Sequence, residues 1–96
     1  MEVVFHADAT AEASVAREWY EERSPNTARA FLSELDRAVA SLAEAPLRWP
    51  LGLHGTRRIL LRRFPFGLVY RLGLDQVQVI AVAHLHRRPG YWKDRS

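Results

Sequence analysis

The sequence predicts an α+β domain in which an antiparallel hairpin of two helices packs on an antiparallel sheet. Three observations lead to this fold class. Apolar residues recur at helical spacing in the first half of the chain, three strand-like runs separated by short turns fill the second half, and one short β-prone run precedes them all. With 96 residues, the chain is expected to form a single domain spanning residues 1–96.

The first element is a short strand at Val3–Phe5, and the pattern becomes helical from Ala7. Asp8 or Thr10 is expected to cap the first helix by accepting from a free N–H group of its first turn. The negative charge of Glu12 is favourable near the N-terminus of this helix, where the helix dipole is positive. The buried stripe of the helix consists of small residues and one tyrosine, namely Ala9, Ala13, Ala16 and Tyr20.

The second helix follows almost without a linker. Ser24 suits the N-cap and Pro25 the first helical position, so the two residues end one helix and begin the next. Apolar residues then repeat at three and four positions up to about Ala45, at Ala28, Phe31, Leu35, Ala38 and Leu42. Such a short connection predicts an antiparallel helical hairpin.

The second half of the chain predicts a three-stranded meander, with strands at 57–64, 67–72 and 76–85. The two turns between them are short enough for antiparallel hairpins. The third strand is apolar at both odd and even positions, and these point to opposite faces of the sheet. We therefore expect an interior strand that is covered on both faces. The helical stripes are expected to pack against Val69, Val79 and Ala81.

Composition excludes several classes of protein. A hydrophobic fraction of 48% is that of a globular chain, and the chain has no cysteine for a disulfide or a thiolate site. No apolar run approaches the ~20 residues of a membrane span, and the N-terminus lacks the pattern of a signal peptide. His6 and His54 are isolated, so no metal site is expected. These features predict a cytoplasmic protein with no membrane contact, metal or cofactor.

Charge is distributed unequally between the two halves of the chain. Residues 1–46 have a balance of −5 and residues 47–96 a balance of +8, with thirteen arginines and a single lysine in the whole chain. The arginine fork suits carboxylate and phosphate partners, which favours an anionic partner for the second half. A genome that encodes arginine in preference to lysine would explain the composition equally well, but not the asymmetry.

Several motifs follow one another in order along the chain. They are Trp19-Tyr20-Glu21, Pro46, Trp49-Pro50, Arg57-Arg58, Phe64-Pro65-Phe66, Val69-Tyr70-Arg71 and an ending with His84, Arg87, Pro89, Tyr91 and Trp92. In this order they resemble the RelE/ParE superfamily of toxins from bacterial type II toxin–antitoxin modules. The ending is similar to the ParE-like branch, whose members are often labelled plasmid stabilisation proteins.

The resemblance implies a cytoplasmic growth inhibitor that a cognate antitoxin, a small acidic DNA-binding protein, holds inactive in a hetero-oligomer. An acidic, partly disordered tail of this antitoxin is expected to cover the arginine-bearing sheet face or the helical hairpin. RelE-like members are ribosome-dependent mRNA endonucleases. ParE-like members poison DNA gyrase and catalyse no reaction.

Laid on the RelE-like pattern, the chain retains only part of a ribonuclease site. Arg58 falls on a basic position and Tyr91 on the C-terminal tyrosine. The remaining positions fall on Leu60, Gly67 and Leu85, whose side chains can neither donate nor accept a proton in catalysis. A shift of one or two residues would bring in other arginines instead, namely Arg62, Arg71 or Arg87.

A second ribonuclease pattern in the superfamily uses a C-terminal histidine, for which His84 and His86 are candidates. The two histidines are two positions apart, so their side chains are predicted to lie on one sheet face, where they could meet Arg71 or Arg58. Histidines at the end of a strand that only cap the core are the simpler interpretation. The sequence therefore favours a gyrase poison, with an mRNA endonuclease as the alternative.

Partner binding is expected to use the cationic and aromatic residues of the second half. Trp92 is predicted either to clamp the tail onto the sheet or to belong to the gripping surface, whereas Trp19 and Trp49 are expected to pack in the core or a loop. An arginine directed toward the helices should either extend its guanidinium group to solvent or pair with a helix carboxylate such as Glu34 or Asp36. The predicted contact residues are Arg58, Arg62, Arg71, Arg87, Arg88, Tyr91, Trp92 and Arg95.

Overall fold

The computed structural model describes residues 1–96 and confirms the predicted α+β class. Its elements are β1 (Glu2–Phe5), α1 (Ala7–Arg23), α2 (Pro25–Glu44), β2 (Arg57–Leu60), β3 (Phe66–Leu72) and β4 (Gln76–His84). The four strands form one sheet in the order β1-β4-β3-β2. Neither helix has both the length and the hydrophobicity needed to cross a membrane.

The two helix starts are capped by different means. Ser24 accepts from the Thr27 N–H at 3.3 Å and Pro25 is the first residue of α2, as predicted. The cap of α1 is His6 rather than Asp8 or Thr10, because the Nδ1 of His6 accepts from the Asp8 N–H at 3.0 Å. His6 has an extended backbone, which is the conformation that an N-cap residue requires.

The sheet is mixed rather than wholly antiparallel. β3 pairs antiparallel with β2 and with β4, as the meander predicts, and the Gly73 N–H donates to the Gln76 carbonyl at 2.8 Å in the β3–β4 turn. β1 is parallel to β4, so the predicted antiparallel sheet is wrong for this strand. Parallel neighbours need a long connection, which the helices and the other two strands supply here.

The helices cover one face of the sheet, where the main core lies. Phe31, Leu35 and Leu42 are buried there together with Val79, which confirms the predicted phase of α2. The predicted contacts to Val69 and Ala81 are wrong, since both residues lie in a second core on the opposite face. In β3 the run Leu68-Val69-Tyr70 is apolar at both parities, so sequence alone did not show which residues face the helices.

A β-bulge in β4 decides which of its residues face each of the two cores. Tyr70 pairs with Val79 and Val69 with Ala81, which leaves Ile80 as the extra residue. After the bulge the alternation is reversed, so Val82 joins the helix-side core while Ile80 and Ala81 face the other side. Trp92 covers that second face, and β4 is therefore an interior strand buried on both faces, as predicted.

A buried carboxylate fixes the turn that follows β2. Glu34 on α2 accepts from the backbone N–H groups of Arg62 and Arg63 at 2.9 and 3.1 Å, and from Arg63 Nε at 2.6 Å. Burial alone would raise the pKa of Glu34, but these hydrogen bonds and the Arg63 charge hold that pKa below its ordinary value. The chain bends here, so β2 ends at Leu60 instead of the predicted Phe64, and the predicted Glu34–arginine pair is confirmed.

Candidate partner-binding site around the C-terminal tail

The C-terminal tail, residues 85–96, folds back onto the helix-free face of the sheet. Trp92 is only 7% exposed and contacts the ring of His54 with 5.9 Å between the ring centroids. Arg71 on β3 donates to the carbonyl oxygens of Arg95 at 2.8 Å and Lys93 at 3.3 Å. Of the two predicted roles of Trp92, the clamp is the one found.

Glu12 on α1 is the residue that holds the tail in place. Its carboxylate accepts from the Val82 N–H at 3.0 Å and from the Tyr91 hydroxyl at 2.7 Å. Arg95 donates to both carboxylate oxygens, at 2.8 and 3.0 Å. β1 ends at Phe5, so the β4 edge beyond it has no neighbouring strand, and Glu12 satisfies an edge N–H group there.

The ionisation of this cluster follows from its contacts. Burial would raise the pKa of Glu12, but hydrogen bonds from Arg95, Tyr91 and the Val82 N–H, together with the Arg95 charge, hold that pKa below its ordinary value. The hydrogen bond to Glu12 raises the pKa of Arg95 against the opposing effect of burial. Burial, the hydrogen bond to Glu12 and the Glu12 charge raise the pKa of Tyr91 to about 12, although Arg87 and Arg95 oppose the shift. At neutral pH Glu12 is charged and Tyr91 keeps its proton.

Sequence reasoning placed Glu12 only at the start of a helix and missed this role. Its side-chain partners Tyr91 and Arg95 lie 79 and 83 positions away in the chain. A local pattern carries no information on contacts at that separation. The resemblance singled out Tyr91, but nothing in it pointed to a carboxylate on α1 as the partner of the hydroxyl.

The catalytic candidates do not all come together in one site, although the Arg87 guanidinium stacks on the Tyr91 ring. Arg58 and Arg71 are on the sheet face that the tail covers, and Tyr91 bonds to Glu12 at the β4 edge. His84 lies on the helix face, with its ring centroid 5.1 Å from that of Phe66 and 5.0 Å from that of His86. The expected meeting of His84 with Arg58 or Arg71 is therefore wrong, because the bulge at Ile80 turns His84 to the other face.

On the sheet itself, the aliphatic part of the Arg58 side chain lies beside Gly67 and Leu60. A Cβ atom at Gly67 would lie 3.0 Å from Arg58 Cδ and 3.2 Å from Leu60 Cδ2. Gly67 and Leu60 are direct partners across the β2–β3 pair. Two positions that the resemblance assigns to catalytic side chains thus adjoin Arg58 and carry no proton donor or acceptor.

The eight predicted contact residues divide into two groups. Arg71, Tyr91, Trp92 and Arg95 stabilise the tail from inside the fold. The remaining four are exposed, and their guanidinium groups form no hydrogen bond or salt bridge within the chain, although that of Arg87 stacks on the Tyr91 ring at 3.9 Å. The free residues are Arg58, Arg62, Arg87 and Arg88.

An apolar groove of about 600 Å³ lies between α1 and the adjoining ends of β3 and β4. Val15 and Trp19 on its α1 side are 66% and 52% exposed, and Arg87 lies at its edge. Trp19, expected to pack in the core or a loop, instead lies on the exposed surface of α1, where the Arg23 guanidinium stacks on its ring at 3.6 Å. Trp49 does pack against the core. Contiguous apolar surface of this kind is typical of protein-binding sites.

Comparison with known proteins gives the family of the chain. Residues 3–89 match the family model described as the ParE toxin of the type II toxin–antitoxin system parDE. A solved chain of the chromosomal ParDE toxin–antitoxin system from P. aeruginosa has a similar fold, with a TM-score of 0.77 and 19% sequence identity over 88% of this chain and 95% of that one. Among curated proteins, none matches the chain.

Proposed function

Since this chain belongs to the ParE toxin family of type II toxin–antitoxin systems, we propose that it arrests growth by binding and poisoning DNA gyrase, without catalysing a reaction. The observation that carries the proposal is the bonding of Tyr91. Its hydroxyl proton points to the Glu12 carboxylate, and its pKa of about 12 keeps that proton in place. A tyrosine held in this way stabilises the tail, which supports a structural role for Tyr91 over that of a proton donor to a substrate.

The remaining requirements of RNA cleavage support the same proposal. Attack by a 2′-hydroxyl needs a base, a group that stabilises the phosphorane charge, and an acid for the leaving oxygen. Arg58 offers charge stabilisation, but its neighbours Leu60 and Gly67 offer neither base nor acid. His84 lies on the opposite face of the sheet, where it cannot act with Arg58 on one phosphate.

The exposed surfaces suit a binding toxin. Arg87 and Arg88 lie in the tail shortly after β4, which ends at His84, and Arg87 also borders the apolar groove that displays Val15 and Trp19. The positive charges of Arg87 and Arg88 beside an apolar groove can bind gyrase or an acidic antitoxin without catalysing a reaction. A cognate antitoxin that covers these surfaces would neutralise the toxin, and the cytoplasm is where both partners would meet.

Supercoiling by purified gyrase tests the proposal. The wild-type chain should block supercoiling or trap cleaved DNA. Tyr91→Phe should retain this activity within about threefold, because no proton moves and the lost hydrogen bond to the Glu12 carboxylate, about 1.5–3 kcal/mol, lowers the stability of the tail rather than removing a contact to gyrase. Deletion of residues 91–96 should abolish inhibition. The folded double variant Arg87→Gln/Arg88→Gln, which keeps the tail, should weaken it by about tenfold or more.

The competing activity has its own readout. Toxin added to translating ribosomes should leave mRNA intact. Cleavage within codons that Arg58→Ala or Tyr91→Phe reduces by about a hundredfold or more would establish a ribonuclease and overturn the proposal. Co-expression of the adjacent reading frame should restore growth, and growth arrest that is equal with and without this frame would argue against the antitoxin.

A further inference from the structure

We propose that the open edge of β2 and the arginine groove beside it bind an extended acidic peptide segment as a fifth strand of the sheet. The arginine groove is the space of about 550 Å³ between α2 and β2 that is lined by Arg37, Arg48 and Arg62. Arg58 also borders it at the β2 edge, although the aliphatic part of its side chain lies beside Gly67 on the other face of the sheet. The inference rests on the proposed function in one respect, since the natural source of the segment would be the antitoxin.

The backbone of β2 provides the edge. β2 is the last strand in the sheet order, so one of its sides has no neighbour. The Leu61 N–H donates to the Phe66 carbonyl at 2.9 Å, and successive residues of an antiparallel strand point to opposite sides. The N–H and C=O groups of Arg58 and Leu60 therefore point away from β3, about 7 Å apart along the strand. This is the spacing at which an added strand forms its hydrogen bonds.

The charges beside this edge are all of one sign. The guanidinium groups of Arg37, Arg48, Arg58 and Arg62 are exposed and form no hydrogen bond or salt bridge within the chain. The one carboxylate of the groove, that of Glu34, is 3% exposed and already accepts from the turn after β2. Four free arginines without an accessible acid match a segment rich in carboxylates, which arginine binds through paired N–H···O contacts.

The hydrogen-bonding groups of the edge and the side chains of the groove favour a peptide over a nucleic acid. An added peptide strand presents alternating donors and acceptors to the edge, whereas a phosphate backbone presents acceptors alone. The groove floor contains Ile59 and Leu61, and Leu60 beside it is 52% exposed, which suits the alternate side chains of a strand. Trp49 is half-buried and is the groove's single aromatic residue, so there is no series of rings on which bases would stack.

A synthetic probe tests the edge without knowledge of the antitoxin. The probe is a blocked ten-residue peptide of alternating glutamate and valine, and its control carries proline in place of every second valine at the same charge. We expect the probe to slow hydrogen exchange at the Arg58 and Leu60 amides by about tenfold or more, and the proline control to have no effect, because proline cannot donate to a strand. A control peptide that protects both amides equally would overturn the proposal.

Arginine variants test the charge of the groove. Each exposed pair is expected to contribute a factor of about two to five in affinity, so Arg37→Gln/Arg58→Gln should weaken peptide binding by about tenfold. Arg88→Gln is the matched control, since Arg88 is equally free and exposed but lies outside the groove, and it should change affinity less than twofold. Equal effects of the two variants would contradict the proposal. So would tighter binding of a twelve-nucleotide oligothymidylate with the same dependence on Arg37 and Arg58.

The complex with the protein of the adjacent reading frame separates this inference from the proposed function. Protection of the Arg58 and Leu60 amides in that complex would support strand addition by the antitoxin. A stable complex in which both amides exchange as in the free chain would overturn the inference and leave gyrase poisoning intact. Absence of gyrase inhibition would overturn the proposed function, and the peptide results would still decide the role of the edge.

Discussion

Replacing Glu12 by glutamine should loosen the C-terminal tail more than any other change of a single charge on α1. The carboxylate accepts four hydrogen bonds that join α1 to β4 and to the tail. Glutamine keeps one acceptor oxygen, and its amide group places donors opposite the donors of Tyr91 and Arg95. The variant therefore loses the negative charge, one acceptor oxygen and the favourable orientation of the hydrogen bonds at one position.

The size of the effect follows from burial and charge. The side chains of Glu12 and Arg95 are 18% and 17% exposed, so water screens their contact only modestly. A hydrogen bond to a charged group contributes about 1.5–3 kcal/mol, and part of the network can persist, so we expect a loss of about 2 kcal/mol in the free energy of unfolding. For a domain of this length such a loss lowers the melting temperature by about 8–16 °C.

The pH dependence of stability should change as well. The pKa of Glu12 in the folded chain is below its ordinary value of 4.5, so the unfolded chain binds the proton more readily. The contribution of Glu12 is thus complete above pH 4.5 and is lost as the pH falls toward the lowered pKa. Glu12→Gln should remove this part of the acid destabilisation, which gives a flatter profile below pH 4.5.

Urea denaturation followed by circular dichroism between pH 3 and pH 7 measures both effects. Glu18→Gln is the matched control, since Glu18 is an exposed acid of α1 without an ion pair, and its substitution should stay within about 0.5 kcal/mol of wild type. If Glu12→Gln has the same unfolding free energy and pH profile as this control, then the carboxylate does not hold the tail and the account of the site is wrong.

Two further predictions concern the other anchors of the fold. Glu34→Gln should lower the free energy of unfolding by about 3 kcal/mol in urea denaturation, because a neutral amide replaces the buried carboxylate that accepts three hydrogen bonds. Asp36→Asn on the exposed side of α2 should have little effect, and equal losses would refute the role of Glu34. Trp92→Ala should lower stability by about 3–5 kcal/mol and abolish the near-ultraviolet dichroism of the packed indole, and an unchanged melting temperature would show that the tail is not packed on the sheet.

The parts of the fold that depend on local pattern were predictable. Phe31, Leu35 and Leu42 repeat at helical spacing, and this periodicity gave both α2 and its buried face. Ser24 and Pro25 likewise indicated the helix boundary, because helix capping depends on residues that are close together in the sequence. The resemblance gave the family and drew attention to Tyr91 and Trp92.

The parts that depend on distant contacts were not predictable. The bulge at Ile80 leaves no trace in a strand that is apolar at both parities, and it reversed the expected faces of Ala81 and His84. The role of Glu12 requires partners at the other end of the chain. The parallel pairing of β1 with β4 is likewise set by the path of the intervening elements rather than by the residues of either strand.

The contact between Glu12 and Arg95 has a consequence for the folding of the chain. It joins residues 83 positions apart, so Arg95 is synthesised long after Glu12. Because synthesis proceeds from the N-terminus and contacts of large sequence separation form slowly, α1 and α2 can form before the tail closes over the sheet. A ribosome-bound chain that has not yet released Arg95 would lack the closed tail. The toxin therefore completes its surface only after Arg95 has emerged, which leaves an interval in which a partner already present could bind first.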